Sequence, residues 1–183
     1  LQNTSVGFAD GTLQASEAAL SEALKALCQK EGVTPFMGLL AAYQMVLARY
    51  SGQDDITVGS PIAGRRDGEL EGLIGFFVNT LALRVELGGA PSIGELLRRV
   101  GERTLQAQQN QDLPVEQVVE AVRPVRSLSH SPLLQAMLAW QNTPREALAL
   151  PGLSLEAVEG GGRTAAKWDV ALSLGEAGGR IVG

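Results

Sequence analysis

Along the first third of the chain, apolar residues recur every three to four positions. Leu20, Ala23, Leu24 and Leu27 share one stripe, Ser16 stands where an N-cap belongs and Gly32 where a helix stops. That spacing predicts a helix from Ser16 to about Glu31. A second helix follows, with Thr34 as N-cap, Pro35 at the first helical position, and Phe36, Leu39, Leu40, Tyr43, Leu47 and Tyr50 on one face. Met37, Ala41, Ala42 and Val46 occupy its other sides, which predicts a mostly buried helix.

The period then drops to two. DITVGSPI puts Ile56, Val58, Ser60 and Ile62 on one face of a short strand, and AGRRDGELEG reads as a charged, glycine-rich loop. Residues 74–87, IGFFVNTLALRVEL, predict a longer strand. One face carries Phe77, Asn79, Leu81, Leu83, Val85 and Leu87; the other carries Val78, Thr80, Ala82, Arg84 and Glu86. Asn79 interrupts the apolar face, and a buried amide without partners costs about 1–3 kcal/mol. Two readings are open: it pins a neighbouring backbone segment, or it points into a cleft and orients a substrate.

Ser92 and Glu95 form a capping-box pattern ahead of Ile93, Leu96, Leu97, Val100 and Thr104, the inward stripe of a third helix. A shorter helix is expected from about Pro114, with Val115, Val118, Val119 and Val122 inward and Pro124 closing it. LLQAMLAWQN alternates Leu134, Ala136, Leu138 and Trp140 against Gln135, Met137, Ala139 and Gln141. LSLEAVE is a weak strand, KWDVALSL a stronger one with Trp168, Val170, Leu172 and Leu174 on one face, and GEAGG turns it into RIVG. Helices and strands mix without strict alternation, so the expected class is α/β (layered α+β), with a mixed, mainly antiparallel sheet flanked by helices.

The 183 residues suffice for one domain, read here as residues 1–183, and 45% hydrophobic with 19% charged residues is globular usage. A net charge of −5 without a basic run argues against nucleic acid, and no apolar run approaches the roughly 18 residues of a membrane span. The N-terminal LQNTSVGFAD lacks the basic and apolar regions of a signal peptide, and with a single cysteine a cytoplasmic setting is the expectation. The absence of an initiating Met suggests a processed product or an excised piece of a longer protein.

Candidate chemistry is sparse. His130, the only imidazole, lies in the Ser-rich loop RSLSHSPLL and reads as a solvated loop residue. Cys28 reads as a packed thiol. GSPIAGRR sets Arg65 and Arg66 near two glycines, an anion-binding hint whose spacing fits no phosphate-loop fingerprint. Asp112, in NQDLPVEQ, reads as a charge at a helix start.

Three stretches together resemble the condensation domains of nonribosomal peptide synthetases. IGFFVNTLALR is similar to that family's I-G-x-F-V-N-T-x-x-x-R motif, which takes in Gly75, Asn79, Thr80 and Arg84. NQDLPVEQVVEAVRPVRSLSHSPLLQAMLAWQN is similar to its H-Q-D-x-P-F-E…R…P-L-F-Q-V motif, which takes in Gln111, Asp112 and Pro114. TPFMGLLAAYQMVLARYSGQDDITVGSPIAGR resembles the segment before both. Asn110 stands where the family has His, and Val115 and Leu134 where it has Phe. The FVNT form fits the peptide-bond-forming subtype.

The family's catalytic signature, H-H-x-x-x-D-G, is absent from these residues. The resemblance therefore implies the C-terminal of two chloramphenicol-acetyltransferase-like lobes, inactive alone. It implies one wall of a tunnel where an aminoacyl thioester attacks a donor acyl or peptidyl thioester, both delivered on phosphopantetheine. It also implies the N-terminal lobe, donor and acceptor carrier proteins and an adjacent adenylation domain as partners, with no metal and no cofactor bound by the chain itself. Ser60, Asn79 and Gln141 become tunnel-wall candidates, Arg84 an ion-pair partner on the other face, and residues 142–167 the segment crossing to the other lobe. A non-catalytic carrier-binding or scaffold module is the alternative.

Overall fold

A computed structural model describes residues 18–65, 68–70, 72–124, 131, 133–141 and 168–183. Two helices, α1 (Ala18–Lys30) and α2 (Pro35–Ser51), precede strand β1 (Asp55–Ile62). A 3-10 turn at Gly68–Leu70 leads to β2 (Asn79–Glu86), then to helices α3 (Ile93–Gln109) and α4 (Val115–Val122). Strands β3 (Ala136–Gln141), β4 (Val170–Ala177) and β5 (Arg180–Val182) complete the described chain. Ser16, Arg66, His130, LSLEAVE and the expected crossing segment, residues 142–167, lie outside the described residues.

The strands form one sheet in the order β2-β1-β3-β4-β5. The expected mixed sheet is present, with antiparallel pairing confined to the two outer pairs, β1–β2 and β4–β5; the central pairs β1–β3 and β3–β4 are parallel. One sheet face carries Ile56, Val58, Leu81, Leu83, Val85, Leu138, Leu174 and Ile181, all buried in the core. Helices α1, α2 and α3 cover that face, with Leu40, Leu97 and Val100 packed into it. Each such aliphatic side chain contributes roughly 1.5–3 kcal/mol of burial.

The start of β2 departs from the expected strand. Residues 74–78 are not in the ladder, because Asn79 pairs with Ile62, the last residue of β1, and nothing remains beyond it to pair with. From Leu81 onward the expected alternation holds, with Leu81, Leu83 and Val85 buried and Arg84 and Glu86 exposed. At the other sheet edge, Gly178 (φ 57°) and Gly179 (φ 76°) make the two-residue turn between β4 and β5, where both central residues need positive φ.

Two helices are rotated relative to the apolar count. In α1 the buried residues are Ser21 and Cys28, while Leu20 and Leu27 face outward. Polar contacts set that roll: Ser21 Oγ accepts the Ile181 N–H at 3.1 Å, and Lys25 Nζ reaches Glu176 at 2.7 Å and the Gly179 carbonyl at 3.2 Å. Helix α2 is not mostly buried. It lies between α1 and α3 and over β1, burying Met37, Gly38, Leu40, Ala41, Tyr43 and Gln44 and leaving Met45, Val46 and Tyr50 exposed.

The Thr34 cap behaves as its sequence indicates, and of the Ser92–Glu95 capping box only the Ser92 half forms. Thr34 Oγ1 accepts the Met37 N–H at 3.3 Å, and Gly52 (φ 68°) closes α2 by donating to the Ala48 carbonyl. Ser92 Oγ accepts the Glu95 N–H at 3.3 Å, whereas the Glu95 carboxylate turns to Arg98 and Arg99. Leu96, Leu97, Val100 and Thr104 are buried as expected, but Ile93, in the first turn, is exposed. Among the described residues no helix is long and apolar enough to cross a membrane.

Candidate functional site

Pro114 begins α4 but has no side chain able to cap it, and its carbonyl takes the N–H groups of Gln117 and Val118. The missing cap comes from β2. Asn79 Oδ1 accepts the Val115 N–H at 3.2 Å and the Thr80 N–H at 2.8 Å. Its Nδ2 donates to the carbonyls of Gln111 and Leu113, each at 2.8 Å. Both polar atoms of the amide are therefore committed to backbone, and the first strand residue holds the 111–115 loop against the sheet.

The segment entering β2 is held in a similar way. Arg65 Nη1 donates to the Leu73 carbonyl at 2.7 Å and also to that of Leu70, and its guanidinium lies 4.5 Å from the Phe77 ring centroid. Gly64 (φ 64°) lets the chain pass against the Phe77 carbonyl, where a Cβ would overlap it. A Cβ on Gly75 would stand 2.8 Å from the Phe77 ring. Arg65, read from sequence as an anion-binding hint, is engaged in organising this loop.

Between the loop, α4 and the sheet face opposite the core runs a groove of about 1170 Å³. Phe76–Thr80 form one wall and Gln111, Asp112, Pro114 to Glu116, Val119 and Glu120 a second. Pro61 and Gly64 come from β1 and its exit, Met137 and Ala139 from β3, Ala171–Ser173 from β4 and Trp168 from just ahead of it. The lining is mixed: the two amides of Asn79 and Gln111, hydroxyls, three carboxylates and a larger apolar area, a surface able to orient a chain-like ligand.

Of the residues singled out in the sequence, Asn79, Thr80, Gln111, Asp112 and Pro114 come together on this groove. Gly75 lies just ahead of it in the Phe77 loop. Ser60 is 5% exposed on the core face, paired with Leu81; its neighbour Pro61 is the residue that lines the groove. Gln141 ends β3, exposed and away from the lining. Arg84 leaves the core face and forms a two-pronged ion pair with Asp55 across the β1–β2 ladder, Nε to Oδ1 at 2.9 Å. That guanidinium holds the Asp55 carboxyl below its usual range.

Sequence reading missed two contributions. The groove surface of Trp168 and Ala171–Ser173 belongs to β4 and the residues entering it, brought in by parallel pairing with β3, which no local pattern announces. Gln44, fully buried on α2, donates Nε2 to the carbonyls of Leu83 at 3.1 Å and Ile56 at 3.4 Å, stapling the helix to β1 and β2. A glutamine inside an apolar helix face was the available signal.

A family model described as the condensation domain matches residues 4–182. The chain belongs to the condensation-domain family. It is 52% identical over 160 residues to malpinin synthetase of Mortierella alpina, covering 87% of this chain and 2% of the synthetase. It is 43% identical over 159 residues to the isonitrile lipopeptide synthase of Mycobacterium tuberculosis, covering 87% of this chain and 6% of that protein. The condensation chain thus spans only a few per cent of the curated relatives it matches.

Among solved structures, the X-domain from teicoplanin biosynthesis superposes with a TM-score of 0.78 at 29% identity, over 91% of this chain and 38% of that one. A four-domain nonribosomal peptide synthetase bound to AMP and glycine shares the fold, with a TM-score of 0.77 at 24% identity, over 94% of this chain and 14% of that one. The mixed sheet flanked by helices is therefore the fold of these condensation-type domains.

Proposed function

We propose that residues 1–183 are the C-terminal lobe of a condensation domain that forms peptide bonds in nonribosomal peptide synthesis, and that the groove beside Asn79 is this lobe's wall of the substrate tunnel. The α-amino nitrogen of an aminoacyl thioester attacks the carbonyl of the donor thioester; the C–N bond forms and the C–S bond breaks. The nitrogen gives up its proton, and the donor carrier's thiol is released. The observation that carries this reading is the convergence of both family motifs on one groove, joined by Asn79.

In this reading the chain's residues orient and enclose, while the H-H-x-x-x-D-G signature acts from an N-terminal lobe. The lobe alone is inactive. Both thioesters arrive as substrates on carrier-borne phosphopantetheine, and the chain binds no cofactor or metal of its own; the carriers, an adjacent adenylation domain and a cytoplasmic setting complete the assignment. Coverage of 38% of the X-domain chain supports a part-domain. Leu73, Ile74, Phe76 and Val78, exposed together ahead of β2, suit a surface that another lobe covers.

The test is condensation by the parent module with both carriers loaded, read by mass spectrometry of the product thioester. Ala139→Trp fills the groove from β3. Loss of product with the fold retained supports the assignment; unchanged turnover refutes it.

A second reading has one specific observation behind it. The X-domain in complex with OxyB matches this chain with a TM-score of 0.75 at 27% identity, over 94% of this chain and 41% of that one. A partner-binding module without chemistry is thus the competing assignment, favoured if the whole parent domain binds partner proteins yet yields no peptide product.

A further inference from the structure

Met137 and Gly59 are register partners on β3 and β1, at positions that face away from the core side of the sheet. A Cβ built on Gly59 would overlap Met137 Sδ, would stand 3.0 Å from Leu134 Cδ1 and 3.4 Å from Met137 Cε. The thioether therefore lies over the bare backbone of Gly59, in the place a side chain would otherwise fill. Met137 and Leu134 both line the groove, and Met137 is only 8% exposed, so its side chain is floor rather than rim.

We propose that the Gly59–Met137 pair sets the depth of the groove and so determines the size of thioester-borne side chain the domain accepts. This rests on the groove being the substrate path. The physical case is displacement: a methyl group at position 59 takes the space the thioether now uses. Methionine has three rotatable bonds and moves at low cost. The strand backbone closes one direction, and the groove is the open space beside it. Removing the thioether deepens the floor; adding the methyl raises it. Gly59 is thus a specificity position although it has no side chain, and Met137 a movable plug. Pocket-size discrimination of this kind is worth about tenfold or more per methylene-sized change.

The experiment uses the complete module with donor and acceptor carriers. Carriers are loaded with alanyl, leucyl or tryptophanyl thioesters, varied first on the acceptor and then on the donor, and kcat/KM is measured for each. Met137→Ala is expected to raise the tryptophanyl-to-alanyl ratio about tenfold for one of the two carriers, and Gly59→Ala to lower it. The responding carrier identifies which substrate meets the floor. Ratios that stay flat for both carriers, or equal losses for every thioester, overturn the proposal. Where Met137→Ala loses its fold by thermal melting, Gly59→Ala and Met137→Leu carry the same ratio. Ala139→Trp separates the two levels of inference. If it leaves turnover intact, the tunnel assignment fails; if it stops condensation while the ratios stay flat, only the depth proposal fails.

Discussion

The side-chain oxygen of Asn79 accepts the backbone N–H of Val115 at 3.2 Å, so a residue at the start of β2 caps α4 from 36 positions earlier in the chain. The same amide donates to Gln111 and Leu113, which leaves the loop between α3 and α4 no independent conformation. Net contributions of about 0.5–1.5 kcal/mol for each of its four bonds imply a loss of roughly 2–6 kcal/mol for Asn79→Ala. Asn79→Asp is the sharper variant. It keeps both acceptor contacts but turns a carboxylate oxygen toward two carbonyls, so it is expected to cost at least as much as alanine. Urea unfolding checks this; an aspartate variant as stable as the parent would falsify the clamp.

Gln44 is fully buried, with Nε2 on two strand carbonyls and Oε1 without a hydrogen-bond partner among the described residues. Leucine removes the unpaired Oε1 but also takes the Nε2 donor away from the Leu83 and Ile56 carbonyls, so Gln44→Leu should cost about 1–3 kcal/mol. Gln44→Glu buries a carboxylate against carbonyl oxygens and should cost about 3 kcal/mol or more, easing at acid pH as the carboxylate protonates. Equal costs for the two variants at neutral pH would contradict this placement.

A Cβ on Gly38 would overlap Cys28 Sγ, where α1 crosses α2. Two effects of Gly38→Ala oppose each other. Helix propensity favours alanine by roughly 0.5–1 kcal/mol, while overpacking typically costs about 1–3 kcal/mol. Overpacking should win, because the thiol sits on a short side chain with little freedom to withdraw. In a Cys28→Ala background the clash is gone and the same substitution should become neutral or stabilising. A double-mutant cycle by thermal or urea unfolding reads that change of sign.

Glu95 lies beside Arg98 and Arg99, whose guanidiniums hold its carboxyl down from 4.5 to about 2. A carboxyl lowered on folding stabilises the native state above its unfolded value and loses that contribution as pH falls. The window is therefore from about pH 4.5 down to about 2. The group is well exposed, so the effect is small and screened by salt. Glu95→Gln should flatten this part of the acid limb in low-salt unfolding titrations, lowering stability near pH 7 by the same small amount and leaving it unchanged near pH 2. A variant with the parent's slope between those pH values would show that the pairing does not persist in solution.

Much was legible in the residues alone. Thr34–Pro35, Ser92, and the alternation from Leu81 to Val85 encode their own structure, because caps and strand faces depend on neighbours within a few residues. The family followed from motif residues in order. Asn79 was recognisable as an amide on an otherwise apolar strand face, in need of partners, and either of its two readings was consistent with the strand alone.

Tertiary structure decided the rest. The roll of α1 depends on Ser21 meeting Ile181 and Lys25 meeting Glu176, contacts separated by some 150 residues or more. The length of β2 depends on where β1 runs out of partners. Ser60 faces the core while Pro61 faces the groove, a distinction made by which sheet face the helices cover. Periodicity tells a residue which neighbours share its face. Only packing says what that face meets, because the energy that chooses comes from groups distant in sequence.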